Sequence, residues 1–265
     1  MYCRKLRGNI QSNIGRSNEG FAIIPTSGRW RRTCRSPGLV RYDKRLTDFV
    51  RSTVIRTHTP LLFGSYDRQA NRFYNVAIYI DPYNTVTTYQ KIRLAPFVEY
   101  QPAVIPYRRP SDWLRYSAGV EPTVFSTITG LRFSAMICLE DSLPDLARDF
   151  ARHGAQLLFG LVSTQRYDGT SEHLQQLRRA QLVSISVGLP MVRCANSGIS
   201  CPIDAFGRIG KRLIEGRPAA AVVDAQLLNL NTPYRVTGDW PWLAAMLVVG
   251  YGIGLRSRFR RPRHG

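Results

Sequence analysis

The chain has 265 residues, 37 Lys+Arg against 18 Asp+Glu, and a formal net charge of +19. With 44% hydrophobic and 21% charged residues it can bury one substantial core, which excludes a disordered or collagen-like chain. The charge sits at the ends: residues 1–60 carry 13 basic and three acidic side chains, residues 256–265 five basic and none acidic, and the stretch between is near neutral at +4, so no specific nucleic-acid partner is expected.

Residues 1–13 are polar and basic, without the apolar h-region of a signal peptide. Residues 20–25 (GFAIIP) read as a short strand, followed by an Arg-rich run over 29–41. Leu46, Phe49, Val50 and Val54 fall at helical spacing and predict a helix over 46–56. Strands are predicted over 61–63, 76–80 and 85–90, the last two joined by the turn Asp81-Pro82-Tyr83-Asn84. A Pro- and Tyr-rich loop over 95–112 comes next, with Tyr100 and Tyr107 placed to line a substrate mouth.

Residues 133–138 read as a strand that runs into the acidic turn Leu139-Glu140-Asp141. Pro144 and Asp145 open a helix that Gly154 ends, and 156–162 is a buried strand. Ser171 is the expected cap of a long helix through Val187, stopped by Gly188 and Pro190, with His173 at its surface. Strands are expected over 191–194, 198–203 and 219–223. Strands alternating with helices define an α/β layered domain.

Residues 240–255 (WPWLAAMLVVGYGIGL) carry no charge. Sixteen residues of helix rise about 24 Å, short of the roughly 30 Å hydrocarbon core of a bilayer. Length alone leaves a buried helix and a membrane helix level. The flanks, Trp240 and Trp242 on one side and Arg256, Arg258, Arg260, Arg261 and Arg263 on the other, favour the membrane.

Five scattered cysteines do not make a disulfide framework, and there is no CxxC pair, HExxH helix, GxxxxGK(S/T) loop or GxGxxG turn. Metal and nucleotide chemistry therefore have no sequence support. The basic residues include only four lysines, Lys5, Lys44, Lys91 and Lys211. A lysine kept in so Arg-rich a chain points to chemistry that arginine, which holds its proton, cannot do.

Three segments carry such chemistry. Lys91 follows a strand in Tyr89-Gln90-Lys91-Ile92-Arg93-Leu94-Ala95-Pro96-Phe97-Val98-Glu99-Tyr100, with Glu99 eight residues on. Cys138 ends an apolar strand in Ile137-Cys138-Leu139-Glu140, and Asn196 opens Asn196-Ser197-Gly198-Ile199-Ser200. A cysteine nucleophile needs a base, an electropositive setting and donors for the oxyanion formed on its substrate. Lysine and carboxylate can supply these.

These segments resemble the carbon–nitrogen hydrolase (nitrilase) superfamily, and most closely the catalytic domain of the apolipoprotein N-acyltransferases. YQKIRLAPFVEY is similar to that family's YxKxxLVPFGEY, ICLE to its ICYE, and Arg193 to Ser200 to its RxxNxGxS. Gly8-Asn9-Ile10-Gln11 resembles its opening strand and Tyr74-Asn75 its YN pair. The conjugal transfer proteins of rhizobial plasmids called TraB carry a related domain.

The resemblance implies a nitrilase-like α-β-β-α sandwich over 43–239, preceded by a divergent basic segment (1–42) and followed by a membrane-inserted helix (240–255) and a basic tail (256–265). It implies Cys138 as nucleophile, Lys91 as oxyanion-stabilising lysine, Glu99 as its supporting glutamate, and Glu140 and Asn196 as further supporting residues. The family's base is the glutamate of a WPE motif. Arg41-Tyr42-Asp43 stands in that register here, which puts Asp43 in the glutamate's place. Ser163 to Tyr167 replaces the family's NDAWF, and Arg179-Ala180-Gln181-Leu182 its RAIE. No metal or organic cofactor is implied. The implied partners are a phospholipid or other acyl donor and an amine acceptor such as a lipoprotein, at the bacterial inner membrane with either side open to the domain. Two other readings stand beside this one: a membrane-associated TraB-like transfer protein with altered catalysis, and a truncated product, since the family carries a helical membrane bundle before this domain.

Overall fold

The computed structural model describes residues 22–24, 44–104, 115–163, 170–196, 198–213, 219–228 and 230–259. Asp43 and Tyr107, two residues with expected roles, lie outside them. Two sheets form the centre. The first has the order β1-β2-β3-β4, with β1 (Ala22–Ile24) parallel to β2 (Leu61–Gln69), and β2, β3 (Arg72–Ile80) and β4 (Val86–Gln90) antiparallel. The second has the order β5-β6-β7-β8-β9. In it β6 (Arg132–Ile137), β7 (Leu157–Val162) and β8 (Met191–Ala195) run parallel, with β5 (Phe125–Ser126) and β9 (Cys201–Ile203) antiparallel at its edges.

Alternation along the strands explains how the sheets stack, because successive side chains leave on opposite faces. In β2, Leu61 and Phe63 pack with Val50 and Val54 of the first helix, α1 (Lys44–Thr57), whereas Leu62 joins the central core. In β3, Ile80 faces α1 while Ala77 and Tyr79 face inward. The Tyr79 ring meets Phe125 and Phe133 of the second sheet edge-on, with centroids 6.0 and 5.2 Å apart. Behind that sheet lie α2 (Pro144–Arg152), through Leu146, Ala147 and Phe150, and α3 (Glu172–Val187), through Leu177, Ala180, Val183 and Val187. Helix, sheet, sheet, helix is the expected α-β-β-α sandwich.

Several local expectations change. The first hairpin is longer than the apolar runs predict, because β2 and β3 continue through the buried Ser65, Asp67, Tyr74 and Asn75 and are exposed only at the tip, at Arg68, Gln69 and Arg72. Residues 219–223 are not a strand. Ser171 precedes α3 as expected but its side chain makes no cap hydrogen bond; its hydroxyl accepts from Gln175 instead. Gly188 does end α3, at φ +66°. His173 is buried, not at the surface.

The C-terminal segment departs most. After the short α4 (Pro233–Thr237), residues 240–259 form α5 (Trp240–Phe259). No helix among the described residues is long and apolar enough to cross a membrane, so the expected transmembrane helix is not found. The uncharged run stops at Leu255, and Arg256 and Arg258 belong to the helix itself. The alternative of a buried terminal helix fails as well: Trp240, Trp242, Leu243, Met246, Leu247 and Val248 are all exposed.

Candidate active site

The three parallel strands of the second sheet bring their carboxyl ends together, the place where open α/β sheets hold ligands. Cys138 directly follows β6, Ser163 follows β7 and Asn196 follows β8. The Cys138 thiol lies 3.7 Å from the Ser163 carbonyl oxygen, and the Asn196 amide donates to the Ser163 hydroxyl at 2.9 Å. The Asn196 backbone N–H extends the ladder to the Val162 carbonyl.

Cys138 begins a 3-10 turn, Cys138–Ser142, and has φ +55°. A non-glycine residue in that region is strained, costing on the order of 1–3 kcal/mol, and persists only where its surroundings over-determine it. Glu140 is one such constraint. Its carboxylate accepts from the Ile137 backbone on one oxygen (2.8 Å) and from the Tyr89 hydroxyl (2.8 Å) and the Ile92 and Arg93 backbones (both 2.9 Å) on the other. One buried side chain therefore ties the cysteine turn to the segment after β4, across the two sheets.

That segment holds Lys91, which is fully buried. Its backbone is pinned between strands: Lys91 N–H donates to Asn75 O, and Lys91 O accepts from Gly119, both at 2.8 Å. The following loop curls back, with Glu99 N–H on Ala95 O and Phe97 N–H on Tyr100 O, and Phe97 takes φ +61° to close it. The curl returns Glu99 to Lys91, where Nζ and Oε2 are 2.6 Å apart. Ala95 N–H (2.7 Å) and the Asn75 amide (2.9 Å) also donate to the Glu99 carboxylate.

Burial disfavours the Lys91 ammonium, but the charge of Cys138 when it is ionised, with the carboxylates of Glu99 and Glu140, prevails and holds it above the ordinary lysine value. The Cys138 thiol is pushed up by burial. The Lys91 charge opposes that shift, while Asp141 and Glu99 reinforce it. A thiol raised in this way needs a base to take its proton before it attacks. Burial likewise raises the Glu140 carboxyl, against the pull of Lys91 and of its hydrogen-bond donors.

Five of the six expected residues, Cys138, Lys91, Glu99, Glu140 and Asn196, lie within this one connected region. Asp43, the sixth, falls outside the described residues immediately before α1. Tyr89, Ser163, Asp141, Gln176 and Arg193 were not singled out as site residues. Arg193, a charged residue directly after the apolar run 188–192, was the available signal; Asp141, in an acidic turn, gave none.

Residues 23–229 match the profile of the carbon-nitrogen hydrolase family, and the chain belongs to that family. Its similar curated relatives carry a narrower name, apolipoprotein N-acyltransferase. The protein of that name from Brucella melitensis is 29% identical over 213 residues, 73% of this chain and 38% of its own. The one from Azotobacter vinelandii is 31% identical over 223 residues, 78% of this chain and 42% of its own. The chain thus spans about two fifths of the length of these relatives. Among solved structures, a carbon-nitrogen hydrolase from Helicobacter pylori superposes with a TM-score of 0.59 at 14% identity, covering 80% of this chain and 78% of its own. A mutant of the amidase from Nesterenkonia sp. AN1, described with the acetamide moiety of fluoroacetamide added covalently at its active-site cysteine, gives 0.51 at 18% identity, over 66% of this chain and 64% of its own. At these identities the likeness concerns the fold, and it agrees with the nitrilase-like sandwich expected from the sequence.

Proposed function

We propose that the protein is a thiol acyltransferase of the apolipoprotein N-acyltransferase kind, with Cys138 as nucleophile. The observation that carries the reading is the buried Lys91–Glu99 pair held beside a cysteine on a left-handed turn. Cys138 sulfur attacks the ester carbonyl of a phospholipid acyl chain, and its proton passes to a carboxylate, for which Asp43 stands in the base's register. Lys91 stabilises the tetrahedral oxyanion. Collapse breaks the ester C–O bond, the proton goes to the leaving oxygen, and lysophospholipid departs. An amine then attacks the thioester, forming an amide and returning the proton to sulfur. Glu99 keeps Lys91 charged and placed; Glu140 and Asn196 hold the turn and the neighbouring strand end.

The surface of α5 supports a membrane location. A helix apolar on all sides is ordinarily covered, and here the exposed residues are bounded by Trp240 and Trp242 at one end and arginines at the other. Lipid is the covering we assign to it, with the tryptophan end and the arginine end at the membrane–water interface. The bacterial inner membrane, where phospholipid donor and lipoprotein acceptor meet, is the corresponding site.

The test is amide formation on a diacylglyceryl-cysteine peptide in phospholipid vesicles, with lysophospholipid release at equal stoichiometry. Both are expected to vanish in Cys138→Ala. A second reading, a TraB-like transfer protein with altered catalysis, is favoured by Arg41-Tyr42-Asp43 standing where the family has WPE. It predicts that Cys138→Ala retains full biological function.

A further inference from the structure

Glu140 fixes the cysteine turn toward the first sheet. A second buried network, which no catalytic step above uses, grips the same turn from the helical side. Gln176 on α3 is 4% exposed, and its side-chain amide nitrogen lies 3.1 Å from the Cys138 carbonyl oxygen and 2.9 Å from Asp141 Oδ1. Both amide hydrogens are therefore used. Asp141 Oδ2 pairs with Arg193 Nε at 2.8 Å, with neither side chain exposed, and Arg193 Nη1 donates to the Ile199 carbonyl at 2.6 Å. The chain of contacts runs from α3 through the cysteine turn to β8 and on to the segment before β9.

We infer that Gln176 is a positioning residue for the nucleophile: it hangs the Cys138 carbonyl on the buried Asp141–Arg193 pair and so sets the direction of the thiol. Holding that carbonyl fixes the peptide plane after Cys138, and with it the left-handed conformation that aims the side chain. A carbonyl with no donor in this interior would turn to find one, and a shift of about 1 Å at a reacting atom can cost on the order of 100-fold in rate. Asp141 also acts on the thiol directly, its negative charge raising Cys138.

The inference rests on Cys138 being the nucleophile, so the test uses a reagent that needs no acyl donor. Iodoacetamide labelling of the Cys138 peptide is followed by mass spectrometry across pH 6–10, well below the melting temperature of each variant. Gln176→Met keeps the volume and removes both donors. Gln176→Glu keeps the length and, while protonated beside Asp141, offers one O–H donor. The expected order of Cys138 labelling is wild type, then Gln176→Glu, then Gln176→Met, with the methionine variant slower by tenfold or more. The ratio of Gln176→Glu to wild type should fall as pH rises and its carboxyl ionises. A purely structural role would lower melting temperature and leave these rates and the pH trend of that ratio unchanged. Labelling of Gln176→Met within twofold of wild type, or a Gln176→Glu ratio that does not fall as pH rises, overturns the inference. Wild-type Cys138 labelling no faster than the buried Cys201 overturns the nucleophile reading, and the inference with it.

Discussion

Lys91 Nζ lies 2.6 Å from Glu99 Oε2, and both side chains are withdrawn from water. Removing one member of such a pair leaves a stranded charge, which typically costs about 3–5 kcal/mol. Lys91→Met is therefore expected to lower the denaturation midpoint severely. Lys91→Met combined with Glu99→Gln should recover part of that loss, because no buried carboxylate is left unpaired. Urea titration of the three proteins at equal concentration measures it. Equal destabilisation of single and double variants would show that Lys91 acts through packing, not charge.

The thiol should titrate high. Burial raises Cys138, and Lys91 only partly opposes it. Alkylation should therefore climb through neutral pH and inflect above the ordinary thiol range of roughly 8.5. The signs for variants follow from the charges: Asp141→Asn removes a negative neighbour and moves the inflection down, whereas removing Lys91 moves it up. An inflection near pH 6 in the wild type would mean that the lysine dominates the site.

Glu140 accepts four hydrogen bonds with no donor of its own. Glu140→Gln turns one acceptor into an NH2 group facing an N–H or O–H. Each buried donor left unmet costs about 1–3 kcal/mol. The expected result is a folded protein with a lowered melting temperature and slower labelling at Cys138, since the same side chain ties the turn to the lysine segment. Thermal unfolding and peptide labelling on one sample check both.

Gly119 supports Lys91 from outside the motif. Its N–H donates to Lys91 O, and a Cβ placed there would run into the Gln90 carbonyl. Gly119→Ala should cost about 1–3 kcal/mol, as overpacked sites do, and displace the lysine backbone. Alanine at the exposed Gly130 meets no neighbouring atom but sits at φ +87°, so any loss there reflects backbone strain alone. Comparing Lys91-dependent shifts in Cys138 labelling between the two variants separates contact from strain.

Much of this site was legible because its residues are carried on short local patterns. A lysine after a strand with a glutamate eight residues on, and a cysteine at the end of an apolar run, are visible before any fold is known. The contacts that hold them are not local. Gln176 meets Asp141 across 35 positions, and Asp141 meets Arg193 across 52, so no periodicity announces them. Gln176 sits between His173 and Leu177 on the buried stripe of α3, where a polar residue reads as an error in the pattern until its partners are known. The C-terminal helix was misjudged for the opposite reason. Its composition favours a membrane, yet a span depends on an uncharged length, and Arg256 ends that length one residue after Leu255.

The central claim is that Cys138 carries the acyl group. Intact-mass analysis after incubation with phospholipid vesicles and no amine acceptor measures this directly. The account predicts one added acyl chain, released by hydroxylamine and absent from Cys138→Ala. An adduct that survives in Cys138→Ala, or none in the wild type under conditions where an apolipoprotein N-acyltransferase becomes acylated, would contradict it.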